Sequence, residues 1–185
     1  MVLKKRRLGK TGLQVTEMGF GGIPIQRVSE EEAIKIVKRC NELGVNYYDT
    51  ARAYTTSEER IGKALEGARE EIYLATKSHA KTAKELREQL AISLKNLRTD
   101  YIDVYQLHNV TEEGWETISA PGGALEELLK IKEEGVARHI GITSHSPTFL
   151  TKLISGGSPF ETVMVGLQLH SPRTREGAAS TLQED

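Results

Sequence analysis

The stretch Asn46-Tyr47-Tyr48-Asp49-Thr50-Ala51-Arg52-Ala53-Tyr54 determines how the rest of the chain is interpreted. It begins as a short run of β-branched and aromatic residues after Gly44, which is typical of a buried strand. The strand then gives way to a loop that carries Tyr54, and a capped helix follows. Asp49 is therefore predicted at the carboxyl end of a strand. In parallel α/β barrels the functional residues lie at that end of the strands.

Composition narrows the range of functions. The chain has 185 residues, enough for one domain with a hydrophobic core, and a net charge of -1. Acidic and basic residues are interspersed, which predicts no nucleic-acid partner and no membrane surface. Cys40 is the only cysteine, which excludes an internal disulfide and a Cys-rich metal site. No apolar run has the length of a signal peptide or a membrane span, so the cytoplasm is the expected location.

The order of predicted elements indicates an α/β fold. A hairpin is expected first, from residues 3–8 and 13–16 around the turn Gly9–Gly12. The capping boxes Ser29–Glu32 and Thr82–Glu85 mark the starts of two helices. Six near-continuous apolar runs are predicted as strands, the second within the opening stretch and the others at Met18–Phe20, Ile72–Thr76, Tyr101–Leu107, His139–Ile142 and Thr162–Leu169. Five helices alternate with them, which is typical of a parallel sheet covered by helices.

Two architectures fit this alternation. An eight-stranded barrel typically needs about 250 residues, so the chain is one or two β-α units short of one. A doubly wound open sheet fits the count as well, but the first strand lacks the G-x-G-x-x-G phosphate loop. We predict a (β/α)8 barrel of the TIM type that is incomplete, with about six β-α units and an N-terminal β-hairpin. Residues 1–170 are assigned to this domain, and residues 171–185 to a polar tail that is expected to be disordered.

The predicted strand ends bring four polar side chains together. Side chains alternate along a strand, so His108 shares the inward face of the fourth strand with Gln106. Lys77 lies at the exit of the third strand. In a barrel, the last inward side chains look into its mouth, where Lys77 and His108 converge with Asp49 and Tyr54.

This set of residues suits polarisation of a carbonyl group. A buried lysine that faces a carboxylate keeps its charge, and its ammonium favours the ionised form of a nearby phenol. Tyrosine normally titrates near ~10. Beside Lys77, Tyr54 is expected to act as a general acid on a carbonyl oxygen, with His108 hydrogen-bonded to the same oxygen. Because side chains cannot donate hydride, the reaction requires a nicotinamide cofactor.

Asp, Tyr, Lys and His in this order resemble the catalytic tetrad of the aldo-keto reductases. The resemblance runs from Leu8 to about Gln168 and is carried by Gly19–Gly22, Asp49–Ala51 with Tyr54, Ala75–Lys77, Asp100–Asp103, Gln106–His108 and His139–Ile142. It implies that Tyr54 is the proton donor and that Asp49, Lys77 and His108 support it. It also implies NADP(H) as cofactor, with NAD as the alternative, and a small carbonyl compound as substrate. The segments Pro121–Leu125 and Gly141–His145 resemble the bacterial and archaeal branch, in which a ferredoxin-like domain often follows the barrel.

The resemblance also assigns the cofactor contacts. They are Gly21, Gly22, Ile23, Asp49, Thr143, Ser144 and Gln168. Thr143 and Ser144 replace the Ser-Asn pair with which the family usually holds the nicotinamide carboxamide. The family's last two β-α units, which hold the adenosine phosphates, have no recognisable counterpart here. The chain therefore resembles an aldo-keto reductase cut after strand six, with two unpaired barrel edges that favour self-association.

Two other functions remain open at this point. One is a metal-dependent barrel hydrolase with Asp49, His79, His108 and His145 as zinc ligands. The hydrolase hypothesis leaves Tyr54 unexplained, whereas the resemblance to the aldo-keto reductase tetrad predicts no metal. The other is a binding or scaffold module, or a fragment, in which the tetrad is present but the cofactor site is incomplete.

Two aromatic residues near the strand exits are expected to lie at the mouth or beside it. His79 shares the face of Lys77 and is expected to line the substrate mouth. Trp115, in an insertion over residues 109–123, either covers the mouth or packs in the core.

Overall fold

The chain begins with an antiparallel hairpin of β1 (Lys5–Arg7) and β2 (Gln14–Thr16) in the computed structural model, which describes residues 3–166. Gly12 adopts φ 75° in the connecting turn, a conformation that glycine reaches without strain. The hairpin is tied to the main sheet through Asn46, whose side-chain oxygen accepts from the Thr16 amide at 2.7 Å. The predicted hairpin is confirmed.

Within residues 3–166, six parallel strands form one sheet. They are β3 (Phe20–Gly21), β4 (Tyr47–Asp49), β5 (Tyr73–Ser78), β6 (Ile102–Leu107), β7 (Ala137–Ser144) and β8 (Thr162–Val165). Their order in the sheet follows the chain from β3 to β8, with every neighbour parallel. A doubly wound sheet reverses its strand order at a switch point, whereas a barrel does not. The alternative of a doubly wound sheet is therefore wrong, and the prediction of six barrel-type β-α units is confirmed.

In the same described part of the chain, six α-helices connect and cover the strands. They are α1 (Glu30–Glu42), α2 (Ser57–Ala64), α3 (Ala83–Leu97), α4 (Glu112–Ser119), α5 (Ala124–Glu133) and α6 (Pro147–Ser155). Ser29 caps α1 by accepting from the Glu32 amide, and Thr82 and Glu85 form a complete capping box at α3. In the described part of the chain, no helix is both long and apolar enough to span a membrane.

The hydrophobic core lies between the sheet and the helices. Fully buried residues of this layer include Tyr48, Leu74 and Tyr105, one on each of three adjacent strands. Residues an odd number of positions away on the same strands, such as Lys77 on β5 and Gln106 on β6, are also buried but lie on the concave face of the sheet. The strands therefore place apolar side chains under the helices and polar ones toward the mouth.

The structure differs from the sequence prediction in two places. The third strand extends to Ser78, so Lys77 lies within it instead of at its exit. The insertion after the fourth strand contains α4, and Trp115 packs against Phe149 and Phe160 at ring distances of 6.3 and 6.1 Å. The sequence allowed Trp115 either to cover the mouth or to pack in the core, and the structure shows the packing role. The end of the predicted sixth strand, Gln168 and the polar tail lie outside the described residues.

Candidate active site

The four predicted catalytic side chains come from three neighbouring strand ends. Asp49 is the last residue of β4, Tyr54 lies in the turn that follows, Lys77 is in β5, and His108 follows β6 directly. Tyr54, Lys77 and His108 line a cavity of about 220 Å³. Asp49 lies next to this cavity, bonded to Lys77. The sequence prediction that these side chains converge matches their positions.

Lys77 and Asp49 form a buried ion pair. The Lys77 ammonium lies 2.5 Å from Asp49 Oδ1 and donates a second hydrogen bond to the Thr50 carbonyl at 2.7 Å. Burial lowers the pKa of Lys77 and the Asp49 charge opposes this, while burial raises the pKa of Asp49 and the Lys77 charge opposes that. Each charge thus replaces the water that the other has lost.

Gln106 completes this pair and was missed as a site residue. Its amide nitrogen lies 3.5 Å from Asp49 Oδ2, the oxygen that does not face Lys77. Gln106 is 1% exposed and lies on the concave face of β6, two residues before His108. Its position two residues from His108 was the available signal, because the two side chains share a face.

Tyr54 is held in a strained turn. Its amide donates to the Ala51 carbonyl at 2.9 Å, and its own carbonyl accepts from the Ser57 amide at 2.7 Å. Thr55, the next residue, has φ 39°, in the region that non-glycine residues rarely adopt. Strained backbone often lies next to functional side chains. The turn places the Lys77 ammonium 5.1 Å from the centre of the Tyr54 ring.

Tyr54 holds its proton more firmly than the sequence suggested. Burial raises the pKa of Tyr54, and the Asp49 charge raises it further. The expectation that Lys77 would favour the phenolate overlooked that Asp49 offsets the Lys77 charge at close range. At neutral pH Tyr54 is therefore a phenol, the form that carries a proton to give.

His108 is a neutral imidazole. Its ring meets the Tyr54 ring edge-on at 5.6 Å, with an interplanar angle of 82°. Burial lowers the pKa of His108 to about 3, with further contributions from His79, Lys77 and His145. Nδ1 is buried and has no hydrogen-bond partner among residues 3–166, so the ring proton belongs on Nε2.

A buried carboxylate supports the turn that carries Tyr54, and sequence reasoning did not identify it. Glu58, in the first turn of α2, is 1% exposed and pairs with the Arg52 guanidinium. It also accepts from Thr76 Oγ1 at 2.8 Å and from Asn96 Nδ2 at 3.3 Å. No sequence pattern indicates this burial, because a glutamate in the first turn of a helix is usually solvated.

The predicted cofactor residues fall into two groups. Gly21 ends β3 and Gly22 and Ile23 follow it, and the Gly22 amide donates to the Asp49 carbonyl at 2.8 Å. A side chain at Gly22 would clash with Ser57 Oγ and crowd the Asp49 carbonyl, so glycine fits there best. These three residues do not line the described cavity, whereas Thr143 and Ser144 do.

The Thr143 and Ser144 hydroxyls differ in whether they can still donate a hydrogen bond. Ser144 Oγ donates to the Val110 carbonyl at 2.6 Å and accepts from the Ser146 amide. Thr143 Oγ1 accepts from the Asn109 amide at 2.7 Å, and its own proton has no partner among residues 3–166. Of the two hydroxyls, Thr143 is the one that can still donate to a bound group.

The proposed zinc ligands are arranged differently from a metal site. Within the described residues, no three His, Cys, Asp or Glu side chains surround a common point suited to a metal ion. His79 and His108 instead stack ring on ring, and Asp49 is bonded to Lys77. This arrangement does not match the tetrahedral ligand set that a zinc hydrolase needs.

The chain is similar to known oxidoreductases in sequence and fold. It is 34% identical over 188 residues to the uncharacterized oxidoreductase YqkF of Bacillus subtilis, covering 94% of this chain and 59% of that protein. It is 34% identical to the holo form of the aldo-keto reductase AKR11C1 from Bacillus halodurans, with a TM-score of 0.83, over 98% of this chain and 63% of that one. A Bombyx mori aldo-keto reductase solved in complex with NADP shares the fold, with a TM-score of 0.77 and 21% identity, over 98% of this chain and 64% of that one.

These likenesses cover most of this chain but only part of each relative. The chain spans about three fifths of the length of the YqkF and AKR11C1 proteins. Residues 17–184 match the aldo/keto reductase family as a whole, which includes every residue of the predicted tetrad. The chain therefore belongs to the aldo-keto reductase family.

Proposed function

We propose that this chain carries the catalytic half of an NADPH-dependent reductase of aldehydes or ketones, with Tyr54 as proton donor and Asp49, Lys77 and His108 in support. One observation carries the proposal. The Lys77 ammonium lies between Asp49, at 2.5 Å, and the Tyr54 ring, at 5.1 Å, and His108 meets the same ring at the wall of one cavity.

The proton transfer follows from the state of each side chain. Tyr54 is protonated at neutral pH because burial and Asp49 raise its pKa. When it gives its proton to a carbonyl oxygen, the phenolate that forms is stabilised by the Lys77 ammonium. Lys77 is held for this role by Asp49 and by the Thr50 carbonyl. Proton donation of this kind typically contributes ~10²–10⁴-fold to the rate.

His108 orients the carbonyl group. Because its pKa is lowered to about 3, the ring is neutral and is a hydrogen-bond donor through Nε2 alone. A donor beside Tyr54 lets the carbonyl oxygen accept two hydrogen bonds at once. Charge that develops on that oxygen is then stabilised before the proton is fully transferred.

The cofactor would be NADP(H), with NAD as the alternative, and it would supply the hydride. The Bombyx mori reductase that shares this fold was solved with NADP. Thr143 and Ser144 fit a carboxamide, since Thr143 has a free donor and both line the cavity beside Tyr54. Gly21, Gly22, Ile23 and Asp49 would contribute from the neighbouring strand ends, as would Gln168, which lies outside the described residues.

A second candidate is a binding module without turnover. It is favoured by the coverage of the relatives, of which this chain spans about three fifths, and by the sheet, whose outer strands β3 and β8 each pair with one neighbour within residues 3–166. In that case the chain would associate with a second copy along these edges. We include this self-association in the proposal because it would cover the unpaired edges of β3 and β8.

Two titrations distinguish these functions. NADPH binding is measured by fluorescence, and NADPH oxidation by absorbance with a panel of small aldehydes and ketones. We expect saturable binding and aldehyde-dependent oxidation that is lost in Tyr54→Phe. NADPH binding without oxidation by any carbonyl compound, both in this chain and after its fusion to the C-terminal remainder of the Bacillus halodurans reductase, would favour the binding module. Absence of both binding and oxidation in the chain and in the fusion would contradict the reductase proposal.

A further inference from the structure

A second imidazole lies against the candidate hydrogen-bond donor. The rings of His79 and His108 are stacked, with centroids 4.1 Å apart and an interplanar angle of 27°. His79 follows the last residue of β5, and the His108 amide donates to the Ser78 carbonyl at 2.8 Å, so the two strand ends are bonded together. The stack is therefore a product of the sheet register.

Little else fixes the plane of the His108 ring. Its Nδ1 is buried and has no hydrogen-bond partner among residues 3–166. A histidine ring is usually oriented by a hydrogen bond to the nitrogen that does not act in the reaction. Without that bond, the orientation of His108 depends on ring packing, which comes from the Tyr54 edge at 5.6 Å and the His79 face at 4.1 Å.

His79 is itself restrained. Burial lowers the pKa of His79, and the nearby His108 backbone opposes this shift, so the stacking partner lies close to the main chain of the residue it packs against. His79 is exposed at the rim, while His108 is half-buried behind it. The charged and titratable groups near His108 are Lys77 from β5, Tyr54 from the turn after β4 and His145 from the end of β7, with Asp49 beyond Lys77.

We propose that His79 is a positioning residue: its stacked ring holds the His108 imidazole in the orientation and tautomer that presents Nε2–H to the cavity. This inference rests on the proposed function, in which Nε2–H donates a hydrogen bond to the carbonyl oxygen of the substrate. The orientation and tautomer themselves are properties of the chain without substrate.

The test separates stacking from polarity with a matched pair of variants. His79→Phe keeps a flat ring and loses the polar ring nitrogens, while His79→Gln keeps a polar group and loses the ring. His145→Gln is the control, because His145 is a neighbour of His108 that does not stack on it. Each is made in the full 185-residue chain, and circular dichroism checks the fold.

The readout is the pair of ring ¹⁵N shifts of His108, assigned by its loss in His108→Asn. In the parent and in His79→Phe we expect the shifts of a single Nε2–H tautomer at pH 7. In His79→Gln they should move toward the average of the two tautomers. Unchanged shifts in His79→Gln, or averaging in His79→Phe with a single tautomer in His79→Gln, would overturn the proposal.

A kinetic measurement connects the inference to the proposed function. In His79→Gln, kcat for carbonyl reduction should fall by roughly 10- to 100-fold while NADPH affinity is unchanged, because a small misplacement of a catalytic group costs this much. In His79→Phe it should stay near the parent value. If no variant shows turnover while the ¹⁵N shifts behave as expected, the proposed function fails and the positioning role stands. If the His108 ¹⁵N shifts do not change in His79→Gln, the positioning role fails even in an active reductase.

Discussion

Lys77 and Asp49 form an ion pair that is almost closed to water. Nζ lies 2.5 Å from Oδ1, and the two side chains are 1% and 17% exposed. Both charges have lost most of their hydration, so each depends on the other for its stability in the fold. The pair therefore stabilises the site only while both members are present.

Removal of one partner should cost more than removal of both. We expect Lys77→Met to lower the free energy of unfolding by about 3–5 kcal/mol, because it leaves the Asp49 carboxylate buried with Gln106 as its one side-chain partner among residues 3–166. Adding Asp49→Asn to the same chain should restore part of this loss. Urea unfolding of the two single variants and the double variant gives the coupling energy. If the losses in unfolding free energy of the two single variants simply add in the double variant, the two side chains do not depend on each other as proposed.

The Glu58 carboxylate should be required for the stability of the Tyr54 turn. Glu58→Gln removes the charge that pairs with Arg52, and the free energy of unfolding should fall by about 3 kcal/mol, as for other broken buried pairs. Glu66→Gln is the matched control, since it breaks the exposed pair with Arg98 and should cost less than about 1 kcal/mol. Equal losses in the two variants would show that Glu58 has no special role.

His108 should make the fold sensitive to acid. Its pKa is about 3 in the folded chain and about 6.5 when unfolded, so the unfolded state binds the proton first. The contribution of His108 to stability is complete above pH ~6.5 and is lost as the pH falls toward 3. The difference in unfolding free energy between parent and His108→Asn should shrink over this range, measured by urea unfolding at several pH values. A difference that is independent of pH would show that His108 is not held neutral.

The outer strands should mediate self-association. β8 pairs only with β7 within the described residues, and its Val163 is 38% exposed. We expect light scattering to give a mass above the 20.5 kDa of one chain, and Val163→Lys to shift it toward that value, because a charge on an edge strand opposes pairing. Ile36→Lys on α1, equally exposed, should leave the mass unchanged. A monomeric parent at all concentrations would rule this interface out.

The sequence was sufficient for the fold because its signals are local. Capping residues such as Thr82 and the apolar runs of β5 and β6 depend on neighbours in the chain, and alternation then places Lys77 and His108 on one face. That these ends converge follows from the parallel order of the strands, which the alternation of elements already implied.

What the sequence could not provide depends on distances across the fold. The pKa of Tyr54 is set by burial and by the balance of Asp49 against Lys77, which no pattern of residues reveals. The burial of Glu58 and the stacking of His79 on His108 arise between elements that are far apart in sequence. The helix α4 was missed because the insertion that contains it has no long apolar stripe.

The central claim is that Tyr54 supplies the proton for carbonyl reduction. The most direct test compares NADPH oxidation with a small aldehyde in the parent and in Tyr54→Phe, with NADPH affinity measured in both by fluorescence. Where turnover of this chain is too slow to measure, the same pair is compared after fusion to the C-terminal remainder of the Bacillus halodurans reductase. We predict a rate lower by ~10²–10⁴-fold in Tyr54→Phe with unchanged NADPH affinity. A mutant rate close to that of the parent would show that Tyr54 is not the acid.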